Sequence, residues 1–171
     1  MSVVVRPMRD DEASSFLLIQ RASVRGLAAN DYPPSVIEAW APLPVTDTAV
    51  AFFRVNHDNE IRLVAEMDGE LVGIGALVAA DSELRACYVL PAAARRGVGS
   101  ALVAEIERIA RDYGLTHLEL LSSLTAEPFY RRLGYEAEDR VEHVFGSGRG
   151  RMAAVKMRKT IEARGAPPGV T

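Results

Sequence analysis

The sequence predicts a mixed α/β domain whose central sheet is partly antiparallel. The first observation is the order of the elements, which runs strand, helices, three strands, helix, strand, helix and two strands. The second is a two-residue turn signal, Asp68-Gly69, which joins two strand patterns directly into a hairpin. The third is an amphipathic stretch from Val98 to Tyr113, in which apolar residues recur every three or four positions.

The first part of the chain predicts one short strand followed by helices. A run of valines that ends at Pro7 indicates the strand, and an aspartate next to an apolar periodic stretch is typical of a helix start. A break is expected around residues 26–34. The expected elements are a strand at residues 3–5, a helix from Asp10 or Asp11 through Gln20, and short helices over residues 35–40 and from Thr46 or Asp47 through Phe53.

The middle of the chain predicts three consecutive strands. The first alternates apolar and polar residues, as a half-buried strand does, and the hairpin turn follows it. The second contains Gly73 and Gly75, and glycines inside a strand mark a bulge or a close approach of another backbone. The expected strands are residues 61–66, 71–78 and 84–90.

The remaining elements follow the amphipathic helix, which Gly114 ends. We expect one domain over residues 1–160. The tail, residues 161–171, lacks apolar periodicity and is expected to be disordered. The expected elements are a strand at residues 118–121, a short helix at 126–133, and strands at 135–145 and 152–157 joined at Gly146-Ser147-Gly148.

Length, charge and composition exclude several classes of protein. The 171 residues suffice for one domain with a sizeable core. A net charge of −3 and a pI near 5.7 argue against a nucleic-acid partner. One cysteine and three scattered histidines make a poor zinc site, so we expect no metal and assign the histidines to the surface or to local hydrogen bonds. No run reaches membrane-spanning length, so we expect a cytoplasmic protein without a membrane partner.

The glycine-rich turn before the amphipathic helix, Arg95 to Ser100, has the chemistry to bind a diphosphate. The first turn of a helix has backbone N–H groups without partners and the positive end of the dipole. Gly97 and Gly99 let a phosphate approach those groups, and Arg95 and Arg96 add charge. The competing interpretation is a tight turn in which glycine only relieves strain. The P-loop and dinucleotide patterns are both incomplete here.

Two motifs at matched spacing resemble the GNAT superfamily of N-acetyltransferases. Gly97-Val98-Gly99 is similar to the end of the family's Gln/Arg-x-x-Gly-x-Gly/Ala motif, although Ala94 stands at the Gln/Arg position. Residues 126–135, AEPFYRRLGY, resemble the family's Ala-x-x-Phe-Tyr-x-x-x-Gly-Phe segment, and Ser123 stands where the family often has asparagine. The resemblance implies a mostly antiparallel twisted sheet, flanked by helices, whose fourth and fifth strands splay apart.

The resemblance also implies acetyl-coenzyme A as cosubstrate. Its pantetheine arm is expected in the gap between the splayed strands, paired with the backbone of the fourth strand, where one N–H would polarise the thioester carbonyl. Because Ala94 replaces Gln/Arg, backbone N–H groups must carry the diphosphate. The expected cofactor-binding residues are Cys87, Tyr88, Val89, Arg95, Arg96, Gly97, Val98, Gly99, Ser100, Ser123 and Phe129.

Two residues are expected to move protons. Tyr130 matches the tyrosine to which the family assigns protonation of the departing thiolate, and a core aromatic is the competing interpretation. Glu83 is the first candidate for the base that takes the amine's proton, since several protein-acetylating members have a glutamate at this spacing. A polar hairpin turn is the competing interpretation for Glu83, and Glu119 or a water chain are the alternative bases.

The leading functional hypothesis is an enzyme that moves acetyl from acetyl-coenzyme A to an amine of a small molecule or peptide. Tyr32 and Trp40 are expected to line the acceptor pocket or to anchor a helix. The second hypothesis is a non-catalytic acyl-coenzyme A sensor, which the departures at Ala94 and Ser123 favour. A nucleotide-binding domain is disfavoured because the P-loop lysine is missing. The acceptor's identity and a homodimer stay open.

Overall fold

The computed structural model describes residues 2–146 and 148–162, which form one sheet with helices on both faces. Ser147, in the expected last hairpin turn, and residues 163–171 of the expected tail lie outside the described residues. The strands are β1 (Val3–Pro7), β2 (Ile61–Met67), β3 (Glu70–Val78), β4 (Glu83–Val89), β5 (His117–Ser123), β6 (Glu136–Phe145) and β7 (Gly150–Thr160). The helices are α1 (Ala13–Leu27), α2 (Pro34–Trp40), α3 (Asp47–Val55), α4 (Val98–Asp112) and α5 (Glu127–Arg132).

The strands follow the order β1-β2-β3-β4-β5-β7-β6, and every neighbouring pair is antiparallel except β4 and β5. The predicted fold class is therefore confirmed. α4 packs on one face of the sheet, where Leu102 and Ile106 join the main core, and α1 packs on the other with Phe16 and Ile19. None of the described helices is long and apolar enough to cross a membrane.

The first helix differs from its prediction at both ends. It begins at Ala13, after a short 3-10 turn at Asp10–Glu12, and continues to Leu27 rather than ending near Gln20. Gly26 lies inside the helix, where a Cβ would approach Pro91 Cγ to 2.3 Å. The glycine therefore serves the contact with Pro91 and does not end the helix.

The glycines of β3 allow α4 to approach the sheet closely. A Cβ on Gly73 would lie 2.8 Å from Val98 Cγ1, and one on Gly75 would lie 3.1 Å from Ile106 Cδ1. Both features that the sequence left open are present, since the register with β2 shifts between Ala65 and Glu66, next to Gly73, and the side chains of α4 approach both glycines closely. The close approach seats α4, and with it the glycine-rich turn, directly on β3 and β4.

The two parallel strands separate soon after they meet. Within the described residues, β4 and β5 pair only at Glu83 and Glu119, where Glu119 N–H also donates to Ser82 O at 2.8 Å. Toward their carboxyl ends the strands have no further ladder contacts. The sheet therefore opens into a gap between Cys87 on one side and Ser123 on the other, as the resemblance implied.

Candidate active site

The backbone of β4 presents polar groups to this gap. Leu90 N–H donates to Val72 O at 2.8 Å, which fixes the alternation of hydrogen bonds between β4 and β3. By that alternation the backbone N–H and C=O groups of Tyr88 point toward β3. The backbone N–H and C=O groups of Cys87 and Val89 point into the gap instead. These groups are available to an extended ligand that lies along the strand.

The amino terminus of α4 lies at the mouth of the gap. Gly97 precedes the helix with a left-handed φ of 85°, and no side chain among the described residues caps it. The first bond described within the helix runs from Ala101 N–H to Gly97 O at 3.0 Å. The N–H groups of Val98, Gly99 and Ser100 therefore have no acceptor within the helix and point out of its positive end.

The two glycines of this turn serve different purposes. A Cβ on Gly97 would meet no atom within 4 Å, so the space in front of the helix end is open. A Cβ on Gly99 would lie 3.0 Å from Phe129 Cζ and 3.2 Å from its Cε2. Gly97 is thus required by its backbone conformation, whereas Gly99 lets the Phe129 ring of α5 pack against α4.

A cavity of about 900 Å³, here called the larger cavity, extends from the helix end into the gap. Nine of the expected cofactor-binding residues line it; Arg96 and Val98 do not, and Val98 is a buried core side chain that offers only its backbone. Arg132, which the sequence interpretation missed, adds a second guanidinium to that of Arg95. The nine are Cys87, Tyr88, Val89, Arg95, Gly97, Gly99, Ser100, Ser123 and Phe129.

A second cavity of about 550 Å³, the smaller cavity, lies on the other side of the gap, and the two share Trp40, Cys87, Tyr88, Ser123 and Ala126. Its walls come from six strands and helices and include charged and aromatic side chains. Its other lining residues are Asp58, Glu83, Leu84, Arg85, Ala86, Leu121, Tyr130, His143, Val144, Phe145, Gly146, Met152 and Ala154.

Tyr130 lies on α5 with its ring 5.0 Å from the Phe129 ring and 5.7 Å from the Tyr135 ring. Within the described residues its hydroxyl has no hydrogen-bond partner. Every fully buried side-chain oxygen or nitrogen of these residues does have a partner, so the Tyr130 hydroxyl is not fully enclosed. The hydroxyl therefore opens into the smaller cavity. Burial, with smaller contributions from Cys87 and Tyr88, raises the pKa of Tyr130 well above its ordinary value, so the phenol keeps its proton. Such a hydroxyl is a donor throughout the neutral range.

Glu83 lines the smaller cavity but is bound in an ion-pair cluster. Arg85 donates to both of its carboxylate oxygens, at 3.1 and 2.8 Å, and to Asp58 at 2.7 Å and Glu60 at 3.3 Å. Glu119, the alternative, lines neither cavity and contacts Arg158 at 3.5 Å.

The structure places three further residues of the sequence interpretation. His143, assigned to the surface or to local hydrogen bonds, is half-buried and lines the smaller cavity from β6. Tyr32 lines neither cavity, and its hydroxyl bonds Ala153 O at 2.6 Å and Leu124 N–H at 2.8 Å, so it is an anchor. Trp40 lines both cavities.

Cys87 lies at the centre of the site without the properties of a nucleophile. Burial raises the pKa of its thiol to about 12, and the thiol faces the Gly99 carbonyl oxygen at 3.8 Å. A neutral thiol attacks a thioester poorly because the thiolate is the reactive form. The side chain therefore acts as packing against the main core.

A sheet that opens between two parallel strands, with an uncapped helix end at its mouth and a phenol in its depth, is the architecture of an acyltransferase that uses an acyl-coenzyme A. The model of the "Acetyltransferase (GNAT) family" matches residues 22–135. The chain therefore belongs to the GNAT acetyltransferase family, which confirms the family that the sequence motifs indicated. Acetyl-coenzyme A is the cosubstrate that this membership implies.

Solved structures share this fold over almost the whole chain. A GCN5-related N-acetyltransferase from Rhodopseudomonas palustris is 28% identical with a TM-score of 0.84, covering 94% of this chain and 97% of that one. The PaiA N-acetyltransferase of Thermoplasma acidophilum, solved in complex with coenzyme A, is 22% identical with a TM-score of 0.73, covering 94% of this chain and 100% of that one.

A relative found by sequence matches only a short stretch. A tRNA uridine(34) acetyltransferase of Dehalococcoides mccartyi is 51% identical over 45 residues, which are 26% of this chain and 10% of that protein.

Proposed function

We propose that the protein transfers acetyl from acetyl-coenzyme A to a primary amine of a small molecule or peptide by direct attack within a ternary complex. The observation that carries the proposal is that the two cavities meet at the gap, with the buried Tyr130 hydroxyl opening beside their shared wall. One cavity holds the donor and the other admits the acceptor. The reacting atoms then meet where Cys87 and Ser123 line both.

The larger cavity fits the donor. The outward N–H groups of Val98, Gly99 and Ser100, in open space and with two guanidiniums nearby, suit a diphosphate. The gap-facing backbone of Cys87 and Val89 suits an extended pantetheine arm. When bound, acetyl-coenzyme A supplies an acetyl group activated as a thioester, and a β4 N–H aimed at its carbonyl oxygen would stabilise the charge that develops there.

Two proton movements accompany the attack. A primary amine with a pKa near ~10.4 must lose a proton, which costs about 4–5 kcal/mol at neutral pH. Glu83, whose carboxylate lines the smaller cavity and accepts from Arg85, is our candidate for receiving that proton. Tyr130 donates to the departing sulfur, a role that its protected proton supports.

The experiment is turnover of acetyl-coenzyme A with a panel of amines, followed by the release of free thiol. Product formation with one acceptor class, with initial-rate lines that intersect when both substrates are varied, is expected for direct attack. Parallel lines would instead require an acyl-enzyme, which the neutral Cys87 thiol argues against.

The second candidate is a non-catalytic acyl-coenzyme A sensor. The substitutions Ala94 and Ser123 at two positions of the family motifs favour it. Tight binding of coenzyme A without turnover of any amine would support the sensor and overturn the enzyme.

A further inference from the structure

The separation between β4 and β5 must be held by contacts other than the hydrogen bonds of the sheet. Beyond Glu83 and Glu119 the strands have no ladder hydrogen bonds in the described part of the chain. On the α4 face the contact between Gly99 and Phe129 fills this role. On the opposite face the connection between α1 and α2 reaches across to the end of β5.

Tyr32 makes the central contact of that connection. Its hydroxyl donates to Ala153 O of β7 at 2.6 Å and accepts from Leu124 N–H at 2.8 Å, directly after β5 ends. The side chain is 7% exposed, and burial raises the pKa of its hydroxyl, which keeps the donor protonated. A neighbouring bond from Thr125 Oγ1 to Asp31 Oδ2, at 2.6 Å, fastens the same turn.

The turn held by Tyr32 is the one that starts α5. Ser123 Oγ accepts from Ala126 N–H at 3.1 Å, and α5 begins at Glu127 and carries Phe129 and Tyr130. The position of the Tyr130 hydroxyl therefore depends on where residues 124–126 are fixed.

The ring of Tyr32 also contacts β4 through one intermediate. It packs edge-on against Trp40 with ring centroids 5.7 Å apart, and Trp40 packs against Tyr88 of β4 at 6.4 Å. Arg25 Nε holds the end of α2 in place by donating to Ala41 O at 2.8 Å. The path from Leu124 through Tyr32, Trp40 and Tyr88 thus spans the gap from β5 to β4.

We propose that Tyr32 is a positioning residue for acetyl transfer, because its hydroxyl fixes the turn that carries Tyr130 while its ring sets Trp40 against β4. The proposal rests on the proposed function for its effect on turnover. It assigns Tyr32 no contact with either substrate. The diphosphate site at α4 does not touch Tyr32, so cofactor affinity is expected to be insensitive to its hydroxyl.

The test compares Tyr32→Phe with wild type and with Tyr113→Phe, which removes a hydroxyl from a side chain that is 62% exposed. Trp40 is the single tryptophan of the chain and lines both cavities, so its emission is expected to report coenzyme A binding. We expect Tyr32→Phe to lower kcat about tenfold and to leave the Kd for coenzyme A within about threefold, since small misplacements of a reacting group are costly. The amplitude of Trp40 quenching at saturation should change, because a ring without the two hydroxyl bonds is held less firmly against Trp40.

Each outcome decides one point. A kcat for Tyr32→Phe equal to that of Tyr113→Phe overturns the positioning role, and so does a loss shared equally by kcat and cofactor affinity. If wild type quenches with coenzyme A but acetylates no amine, the proposed enzyme fails. The role in acetyl transfer then fails with it, whereas the contact of Tyr32 with the gap is still tested, because an equal Trp40 quenching amplitude in Tyr32→Phe and wild type would overturn that contact as well.

Discussion

The two cavities that meet at the gap differ in the origin of their polar groups. The larger one lies against the backbone N–H groups at the start of α4, beside Gly97, and is completed by apolar and aromatic side chains such as Phe129 and Leu133. The smaller one is formed by charged and aromatic side chains, such as Arg85 and Phe145, brought from distant parts of the chain. The polar groups of the larger cavity therefore depend on local backbone geometry, whereas those of the smaller cavity depend on side chains that the packed sheet brings together.

The largest effect is expected where the two cavities meet. Tyr130→Phe keeps the ring contacts with Phe129 and Tyr135 but removes the hydroxyl. We expect kcat to fall about a hundredfold, the lower end of what general acid catalysis contributes, with little change in the Kd for coenzyme A. Steady-state kinetics and Trp40 fluorescence measure the two quantities separately. Equal losses in both would show that Tyr130 only holds the cavity open.

The next effect tests the backbone character of the larger cavity. Gly97→Ala and Gly69→Ala both place a Cβ at a left-handed φ, 85° and 81°, where it meets no atom within 4 Å. Both should lose about 1–2 kcal/mol of unfolding free energy. Only Gly97→Ala should weaken coenzyme A binding, by roughly tenfold or more, because its Cβ enters the phosphate site. If the two variants bind coenzyme A with similar affinity, the diphosphate does not bind at this helix end.

A smaller effect is expected on the acceptor side. Glu83→Gln keeps the shape of the side chain but removes the charge that Arg85 binds, and we expect about a tenfold loss of kcat/KM for the amine with unchanged cofactor affinity. The parallel variant is Glu119→Gln, whose carboxylate contacts Arg158 instead. A loss of kcat/KM in Glu119→Gln rather than in Glu83→Gln would identify Glu119 as the base. If neither variant loses kcat/KM, a water chain would be the base.

The contrast between the cavities also explains how much the sequence could predict. The helix-end part of the larger cavity follows from a strand, a turn with two glycines and a helix, all within residues 84–113, so a local pattern predicts it, whereas Trp40 and Arg132 join the cavity from outside this range. The smaller cavity joins Asp58, Arg85 and His143, which no spacing connects, because only the packed sheet brings them together. For the same reason the partners of Glu83 and the hydrogen bonds of Tyr32 to Ala153 and Leu124 became visible only in the structure.

The smallest effect on activity is expected far from both cavities, at an ion pair that joins β1 to the turn before α1. Arg6 bonds both oxygens of Glu12, at 3.0 and 2.5 Å, and chiefly through these bonds lowers the pKa of that carboxyl from about 4.5 to about 2. Since the folded-state pKa is depressed, the stabilisation is present above about pH 4.5 and is lost as the pH falls toward 2. Glu12→Gln should therefore cost roughly 1 kcal/mol of unfolding free energy at pH 7 and flatten the stability curve between these two pH values.

Urea unfolding at a series of pH values, together with turnover at pH 7, measures both effects of Glu12→Gln. Glu142→Gln is a suitable control, because Glu142 makes one exposed contact with Arg151 and lies on the outer side of β6. Stability lost over the same acid range in Glu12→Gln as in wild type would assign the acid transition to other carboxylates. A drop in turnover in Glu12→Gln alone would mean that the β1 edge is coupled to the gap, and the two cavities would then no longer account for the activity by themselves.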